Sequence, residues 1–210
     1  SAKQTVEGLV MGVLIRNNVK LERADALLAY SRTMMIEQLN HKVNAVAKEL
    51  ATILANAGID YRIFKGQTLA LLYPHPETRM PGDIDFYCVP NHFARAQQLL
   101  QKAWGITLGG EESMQHRDFS YKDVPLEMHF CMMKFNSNAI QTYWERLLAE
   151  ASIEQVSIEG MAVTTLPPTL NVLYTFLHLY HHLVELGVGL RQFCDLLVLL
   201  HRHCETIDRV

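Results

Sequence analysis

The chain has 210 residues, of which 49% are hydrophobic and 20% are charged, and its formal net charge is −3 at neutral pH. These fractions are typical of a folded globular chain and exclude an extensively disordered one. The slight acidic excess excludes a general electrostatic attraction to nucleic acid, so a long polynucleotide is not expected as a partner, and a small molecule or a protein is favoured.

The first segment, residues 1–58, has apolar residues at helical spacing, among them Leu39, Val46 and Leu50. A recurrence every three to four residues collects such side chains on one face of a helix. We therefore predict two or more helices here. The last should end near Gly58, because glycine is the usual residue in the left-handed position that closes a helix.

After residue 58 the pattern changes to short strands that alternate with helices. Strands are predicted for "DYRIFKG", "DIDFYCV", the two halves of "HRDFSYKDVPLEMHF" on either side of "KD", and a small hairpin that turns at Glu159-Gly160. Helices are predicted for "GQTLALLY", "AIQTYWERLLAEA" and "NHFARAQQLLQKA", with Asn91 as the N-cap of the last.

The chain ends in two strongly apolar helical segments, "PPTLNVLYTFLHLYHHLVEL" and "GLRQFCDLLVLLHRHC", with "GVG" between them. The glycines could form a phosphate loop, but a turn between two helices is favoured. Arg191 and Asp195, four residues apart, are predicted to pair on the last helix. The whole pattern predicts an α+β chain in three parts: a helical region (1–58), a mixed α/β core (59–166) and a second helical region (167–210).

Neither the apolar runs nor the cysteines indicate a membrane or disulfide-bonded protein. No apolar run reaches the ~20 residues that span a bilayer. The four cysteines stand far apart with no CxxC pair, which argues against a zinc ribbon and favours reduced thiols. A cytoplasmic location without a membrane partner is therefore expected.

Two carboxylates stand close together at the start of "DIDFYCV". Because side chains alternate along a strand, Asp83 and Asp85 share the face opposite the apolar Ile84. Glu127 alternates with apolar neighbours in the same way on a later strand. If the two strands are adjacent, three carboxylates converge, which is costly unless a cation such as Mg²⁺ or Mn²⁺ neutralises them. The alternative is an acid pair that only forms a turn and a cap.

A basic turn precedes these acids. "FKGQT" predicts a strand that passes through Lys65-Gly66 directly into a helix, where a glycine lets phosphate approach the backbone. Lys65 and Arg79 would add positive charge for a phosphate group. The alternatives are a solvated strand end for Lys65 and an ion pair of Arg79 with Glu77 or Asp83. Together, acids and turn indicate a site for a nucleoside triphosphate with metal.

This order of motifs resembles the polymerase-beta-like nucleotidyltransferase superfamily: Lys65-Gly66, a helix, Arg79, Asp83-Ile84-Asp85 and Leu126-Glu127-Met128. More narrowly, the KG…LYP…R…DID pattern and "HHLVELGVGLRQFCDLLVLL" resemble a bacterial family of uncharacterised nucleotidyltransferases. The resemblance spans roughly residues 61–200. It implies a polymerase-beta-like core with a mixed β-sheet, flanked by helices. It also implies transfer of a nucleoside monophosphate from a triphosphate, expected to be ATP, to an acceptor hydroxyl, with release of pyrophosphate.

The resemblance also implies roles for individual residues. Asp83, Asp85 and Glu127 would be the catalytic carboxylates and would hold the Mg²⁺ or Mn²⁺ ions, with Glu127 on the ion that activates the acceptor. The triphosphate would lie against a second set of residues: Lys65, Gly66, Gln67, Thr68 and Arg79. The usual Gly-Ser or Gly-Gly pair of the superfamily is replaced here by Lys65-Gly66, and the segment that leads to Asp83 is longer than usual.

Histidines offer further candidates. His178 and His182 share one helical face and could bind Zn²⁺, but no third ligand is evident, so a place in a helical core or at the cleft rim is favoured. His129 lies on the side of Glu127, where it can orient that carboxylate or contact substrate. The other possible cleft residues are in the last two helices: His181, Arg191 and Asp195.

Two functions from different classes follow. The first is a metal-dependent nucleotidyltransferase whose acceptor is a small molecule or a protein. The second is a catalytically silent or antitoxin-like binding protein that keeps the fold and uses the cleft for docking. A metal-binding module that does not bind nucleotide is a third, less favoured alternative. The presence of all three acids favours the enzyme, since their mutual repulsion without a cation would favour the loss of one.

Overall fold

The computed structural model describes residues 5–108, 115–185 and 187–207, which form an α+β fold. The helices of this part are α1 (Glu7–Arg16), α2 (Arg23–Asn56), α3 (Gly66–Ala70), α4 (Pro90–Trp104), α5 (Asn138–Glu150), α6 (Pro168–Glu185) and α7 (Leu190–His203), with a 3₁₀ turn at Pro76–Thr78. The strands are β1 (Tyr61–Phe64), β2 (Ile84–Cys88), β3 (His116–Tyr121), β4 (Val124–His129), β5 (Glu154–Ile158) and β6 (Met161–Thr165).

Four strands form one mixed sheet in the order β1-β2-β4-β3. Strand β2 is antiparallel to β1 and parallel to β4, and β3 is antiparallel to β4. The β3–β4 hairpin turns at Lys122 and Asp123, whose positive φ angles are those of a tight two-residue turn. Strands β5 and β6 form a separate hairpin, which turns at Glu159-Gly160 as predicted.

One face of the four-stranded sheet packs against α2 and α4. The apolar positions of the strands alternate with polar ones, so that Ile84, Phe86, Leu126 and Met128 all lie in this core. The helices contribute further fully buried side chains to it: Val46, Leu50, Leu54, Ala96 and Leu100. Burial of each large apolar side chain contributes about 1.5–3 kcal/mol. This core therefore fixes the register of β2 and β4. It also fixes the direction of the polar side chains that alternate with the apolar ones along each strand.

The opposite face of the sheet is only partly covered by apolar residues. A smaller cluster joins Phe64 at the end of β1 to Trp144 of α5 and Tyr174 of α6. The rings of Phe64 and Tyr174 meet edge to face with centroids 5.0 Å apart. Beyond this cluster the face carries polar side chains under α6 and α7. The polar face is where the predicted carboxylates are found.

The helices before the core agree with the prediction for residues 1–58, in that two helices precede β1. Helix α2 ends at Asn56, and Gly58 follows with a φ of +64°, in the left-handed conformation expected of it. The amide of Ile59 then donates to the carbonyl of Leu54, 3.0 Å away. The division of the chain into three parts remains a prediction.

Two local predictions are corrected. The helix expected over "GQTLALLY" is only the five-residue α3, and the chain turns after Ala70. Asn91 is not an N-cap, because α4 begins one residue earlier at Pro90 and its N-cap is Val89. Proline suits the first helical position, since its fixed φ is helical and it has no N–H to leave unsatisfied. None of the helices in the described ranges is long and apolar enough to cross a membrane.

Candidate functional site

The three predicted carboxylates come together on the polar face of the sheet. Strands β2 and β4 are neighbours, and their register pairs Asp85 directly with Glu127. Asp83 lies just before β2, and one carboxylate oxygen from each of the three residues lies within 4.8 Å of the others. The alternation read from the sequence and the adjacency of the strands account for this convergence.

Lys65 is in direct contact with this cluster. Its Nζ lies 2.6 Å from Oδ1 of Asp85, and the two side chains are only 16% and 2% exposed. The backbone of Lys65 has a φ of +55°, which is unusual for a residue with a side chain and is typical of functional turns. Gly66 follows with a φ of +33°, and a Cβ there would lie 3.1 Å from the carbonyl oxygen of Asp83. A side chain at 66 would therefore be strained by the positive φ and by its contact with this carbonyl.

The charges of the cluster influence one another strongly. Burial and the charges of Asp85 and Glu127 raise the pKa of Asp83 to about 6. Burial alone would raise the pKa of Asp85, but the ammonium of Lys65 and the imidazole of His129 outweigh it and hold that pKa well below its usual range. A hydrogen bond from His129 likewise lowers the pKa of Glu127. Asp85 and Glu127 are therefore charged at neutral pH, and Asp83 bears most of the mutual repulsion.

His129 is buried beside the two strand carboxylates, on the side that alternation predicts. Its Nε2 lies 3.2 Å from Oδ1 of Asp85 and 3.3 Å from Oε2 of Glu127. Burial would lower the pKa of His129, but hydrogen bonds to Asp85 and Glu127 outweigh it, so that the pKa is raised. His129 can therefore orient both carboxylates.

The three carboxylates suit a hard divalent cation. Oxygens bound to one Mg²⁺ at about 2.1 Å lie up to ~4.2 Å apart, and the three carboxylates here each offer an oxygen within 4.8 Å of the others. Lys65 and His129 both contact Oδ1 of Asp85, and His129 also contacts Oε2 of Glu127, so the other carboxylate oxygens remain as hard ligands. The donor set therefore fits a divalent ion.

A cavity of about 530 Å³ opens over this cluster, between the sheet and helices α6 and α7. Ten of the residues predicted for the site line it: Lys65, Gly66, Arg79, Asp83, Asp85, Glu127, His129, His181, Arg191 and Asp195. The volume lies within the range of small-molecule and cofactor sites.

Gln67 and Thr68 do not line this cavity. The side chain of Gln67 is buried under α2, where its amide nitrogen donates to the side-chain oxygens of Asn40, at 3.2 Å, and of Asn44. The hydroxyl of Thr68 donates to the carbonyl of Lys65, 2.8 Å away, and so closes the turn. Both side chains hold the turn in place from behind.

Arg79 is part of a buried ion pair. Its Nε and Nη2 donate to the two carboxylate oxygens of Asp195, each at 2.7 Å, and the hydroxyl of Tyr73 donates to the same carboxylate. Asp195 thus pairs with Arg79 instead of with Arg191, four residues before it. Arg191 donates from Nη1 to the carbonyl of Met80, 2.9 Å away, and lies beside Gly82 at the cavity wall. Arg191, more than Arg79, carries positive charge next to the acids.

From the sequence, His178 and His182 are expected in a helical core or at the cleft rim, and neither Tyr174 nor His116 is predicted for the site. One wall of the cavity is formed by side chains that recur every four residues along α6: Tyr174, His178 and His182. The rings of Tyr174 and His178 are stacked, with their centroids 5.8 Å apart. Burial and the charge of Lys65 lower the pKa of His178 to about 3, so this imidazole is neutral. His116 on β3 also lines the cavity. The spacing on α6 was visible in the sequence, whereas the position of His116 depended on the β3–β4 register.

Replacing Asp83 by asparagine is expected to stabilise the metal-free protein by about 1–2 kcal/mol at pH 7.5, which corresponds to a rise in Tm of about 2–8 °C. The folded pKa of Asp83 lies above its unfolded value, so its ionisation costs stability as the pH rises from about 4 through 6. Thermal unfolding in EDTA measures the change. Mg²⁺ should then raise the Tm of the wild type more than that of the variant, and a variant less stable in EDTA would contradict the repulsion.

Comparison with known proteins identifies the family and the fold of this chain. The model of a protein family described as uncharacterised nucleotidyltransferase matches residues 1–209. The fold is similar to the crystal structure of an antigenic nucleotidyltransferase-like protein from Paracoccidioides brasiliensis, with a TM-score of 0.52 and 19% sequence identity over 76% of each chain. At this identity the likeness is one of fold alone. No curated protein matches the sequence. The resemblance inferred from the sequence is confirmed for family and fold.

Proposed function

The chain belongs to the family of uncharacterised nucleotidyltransferases, and from that premise we propose that it is a metal-dependent enzyme that transfers a nucleoside monophosphate from a triphosphate to an acceptor hydroxyl. The observation that carries this proposal is the convergence of Asp83, Asp85 and Glu127 beside Lys65 in a cavity large enough for a nucleotide. In the reaction, the acceptor oxygen bonds to the α-phosphorus, the bond from that phosphorus to the bridging oxygen breaks, and pyrophosphate leaves.

Asp83, Asp85 and Glu127 would hold Mg²⁺ or Mn²⁺, which when bound neutralises phosphate charge and lowers the pKa of a bound hydroxyl. Two of these carboxylates, Asp85 and Glu127, are on strands, and the contacts of His129 with both would fix their orientation. A carboxylate set held in this way does not need to reorganise during the reaction, which is the main electrostatic advantage of a folded site. His129 would therefore act as a positioning residue.

Lys65 and Arg191 would bind the triphosphate, since both carry positive charge at the wall of the cavity. Gly66 would allow phosphate close to the backbone of the turn, while Gln67 and Thr68 would support that turn from behind. Arg79 would act through its ion pair with Asp195, by fixing the segment before β2 to α7. Arg79 would therefore have a structural role and would not bind the triphosphate, although the sequence suggests that it does.

The nucleotide is proposed to be ATP, and the acceptor a hydroxyl of a small molecule or of a protein. The net charge of −3 gives no general attraction to a nucleic-acid acceptor. His181 lies at the rim of the cavity with its side chain 50% exposed, where an acceptor would enter. These assignments go beyond the general nucleotide-transfer function that family and fold support.

The contacts of Lys65 and His129 with the acids favour the second candidate, a silent binding protein. Lys65 already neutralises Asp85 at 2.6 Å, and His129 bonds to both strand carboxylates. Asp85 and Glu127 can therefore be held without metal, so the repulsion that favours the enzyme is confined to Asp83. Under this alternative, the cavity would accommodate a nucleotide or a partner without chemistry.

The test is transfer of label from α-³²P-labelled nucleoside triphosphates, with Mg²⁺ and cell extract, to small molecules or proteins. We expect metal-dependent labelling by the wild type and none by Asp83→Asn/Asp85→Asn. The matched control is Asp123→Asn, since this carboxylate is 95% exposed at the β3–β4 turn and should not affect transfer.

The outcomes separate the two candidates. Metal-dependent nucleotide binding without any label transfer would favour the silent protein. Absence of both nucleotide binding and transfer would exclude the enzyme and any nucleotide-binding role, and would leave only docking of a partner. Transfer that survives in the double variant would show that the carboxylates are not catalytic.

A further inference from the structure

A second group of metal-ligand side chains adjoins the carboxylates. His116 on β3 and Glu127 and His129 on β4 each offer a ligand atom, and these atoms lie within 4.8 Å of one another. We propose that these three residues form a Zn²⁺ site, distinct from the all-carboxylate site but sharing Glu127 with it. The proposed transfer reaction gives no role to His116.

The sheet itself brings the three residues together. The β3–β4 register pairs His116 with His129, and their ring centroids are 4.8 Å apart. Glu127 lies two residues before His129 on the same strand, so both side chains point to one face. A ligand set on two hydrogen-bonded strands is held more rigidly than one on loops.

The hydrogen bonding of His129 independently indicates a missing ligand. Its Nδ1 is buried without a hydrogen-bond partner in the described part of the chain, and the residue is only 4% exposed. A buried polar nitrogen without a partner is destabilising and is uncommon in folded proteins. Its Nε2 already contacts Asp85 and Glu127, so an ion would bind through Nδ1, and the residue lines the cavity.

His116 has a neighbour typical of metal-bound histidines. Its Nε2 lies 3.2 Å from Oδ1 of Asp118, which stands two residues further along β3. A carboxylate bonded to one nitrogen of an imidazole fixes the ring and makes the other nitrogen a better ligand. Asp118 is therefore the outer-shell partner in this site.

The donor set selects the ion. Two imidazoles and one carboxylate suit Zn²⁺ and its neighbours in the transition series, whereas Mg²⁺ prefers oxygen ligands and keeps several waters. Three protein ligands leave a fourth tetrahedral position open. Because Glu127 would serve both sites, Zn²⁺ bound here should weaken binding of Mg²⁺ at the carboxylates, and the reverse.

The experiment uses the full chain, freed of metal with chelator and without nucleotide. Competition with a chromophoric zinc chelator measures the affinity for Zn²⁺, and the visible absorption of Co²⁺ reports a tetrahedral environment. We expect one tight Zn²⁺ in the wild type and a loss of affinity of about 100-fold or more in His116→Ala. Asp118→Asn should cost about 10-fold, as outer-shell partners usually do.

Two matched variants control for other sites. His182→Ala removes half of the His178–His182 pair on α6, and Asp83→Asn removes only the all-carboxylate site, so both should bind Zn²⁺ as the wild type does. Wild-type affinity in His116→Ala, or loss of the tight Zn²⁺ in His182→Ala instead, would overturn the proposal. If His116→Ala does not fold, the absence of a tetrahedral Co²⁺ spectrum in the wild type decides against the site. Failure of nucleotide transfer leaves all of these results unchanged.

Discussion

Replacing Lys65 by methionine is expected to lower the free energy of unfolding of the metal-free protein by about 3–5 kcal/mol at pH 7.5. The change keeps most of the side-chain volume but removes the cation 2.6 Å from Asp85, whose side chain is 2% exposed. A buried charge that loses its partner is strongly destabilising, because its desolvation is no longer compensated. Denaturant unfolding followed by circular dichroism measures the loss.

The pH dependence of this loss has a definite sign. Lys65 helps to hold the pKa of Asp85 below its usual range, against the effect of burial. A carboxylate with a lowered folded pKa contributes stability above its unfolded pKa, near 4, and that stability is lost as the pH falls. The difference between wild type and Lys65→Met should therefore be largest at neutral pH and shrink as the pH falls below about 4.

Lys48 provides a matched control for Lys65. Its Nζ lies 2.7 Å from Glu159, a similar distance, but the two side chains are 30% and 33% exposed. Surface pairs contribute about 0–1 kcal/mol, so Lys48→Met should change stability little. Equal losses in the two variants would contradict the buried character of the Lys65–Asp85 pair. Saturating Mg²⁺ should restore part of the stability of Lys65→Met only, since the ion can replace the missing cation at Asp85.

The carboxylates of the site could be predicted because they follow a strand rule. A period of two fixes the face of a side chain regardless of distant structure, so Asp85 and Glu127 were assigned correctly to one patch once their strands proved adjacent. The same rule assigned His129 to the side of Glu127. Position on a strand is thus local information that the sequence contains.

Residues outside the strands were harder to predict. Gln67 is the second residue of α3, directly after a strained turn. This helix has only five residues, which is too short for a periodic pattern to indicate which side the amide faces. Its actual partners, Asn40 and Asn44, are on α2, more than 20 residues earlier. Side chains whose direction depends on such long-range packing cannot be oriented from the sequence alone.

The partner of Lys65 shows a further limit. The sequence indicated a lysine beside acids, but a lysine can neutralise a carboxylate or bind phosphate, and residue type does not distinguish the two. The contact with Asp85 shows that neutralisation is satisfied within the chain. Repulsion among the acids therefore supports nucleotide transfer less strongly than membership of the family does.

Replacing Asp195 by leucine is expected to lower the free energy of unfolding by about 3–5 kcal/mol, a drop in Tm of about 6–20 °C. The guanidinium of Arg79 is 3% exposed and would lose both of its 2.7 Å hydrogen bonds to the carboxylate. The phenol of Tyr73 would lose its acceptor at the same time. Thermal and denaturant unfolding of the purified variant measure the cost.

The double variant Arg79→Met/Asp195→Leu isolates the cause of this loss. Apolar side chains of similar volume can replace a buried ion pair at little cost, so the double variant should be more stable than Asp195→Leu alone. It should also retain much of its affinity for nucleoside triphosphate if Arg79 only links α7 to the segment before β2. A double variant that is as stable as the wild type but has lost this affinity would instead assign Arg79 to the phosphate groups. Stability and nucleotide affinity, measured on the same variants, thus separate the structural role of this arginine from a binding role.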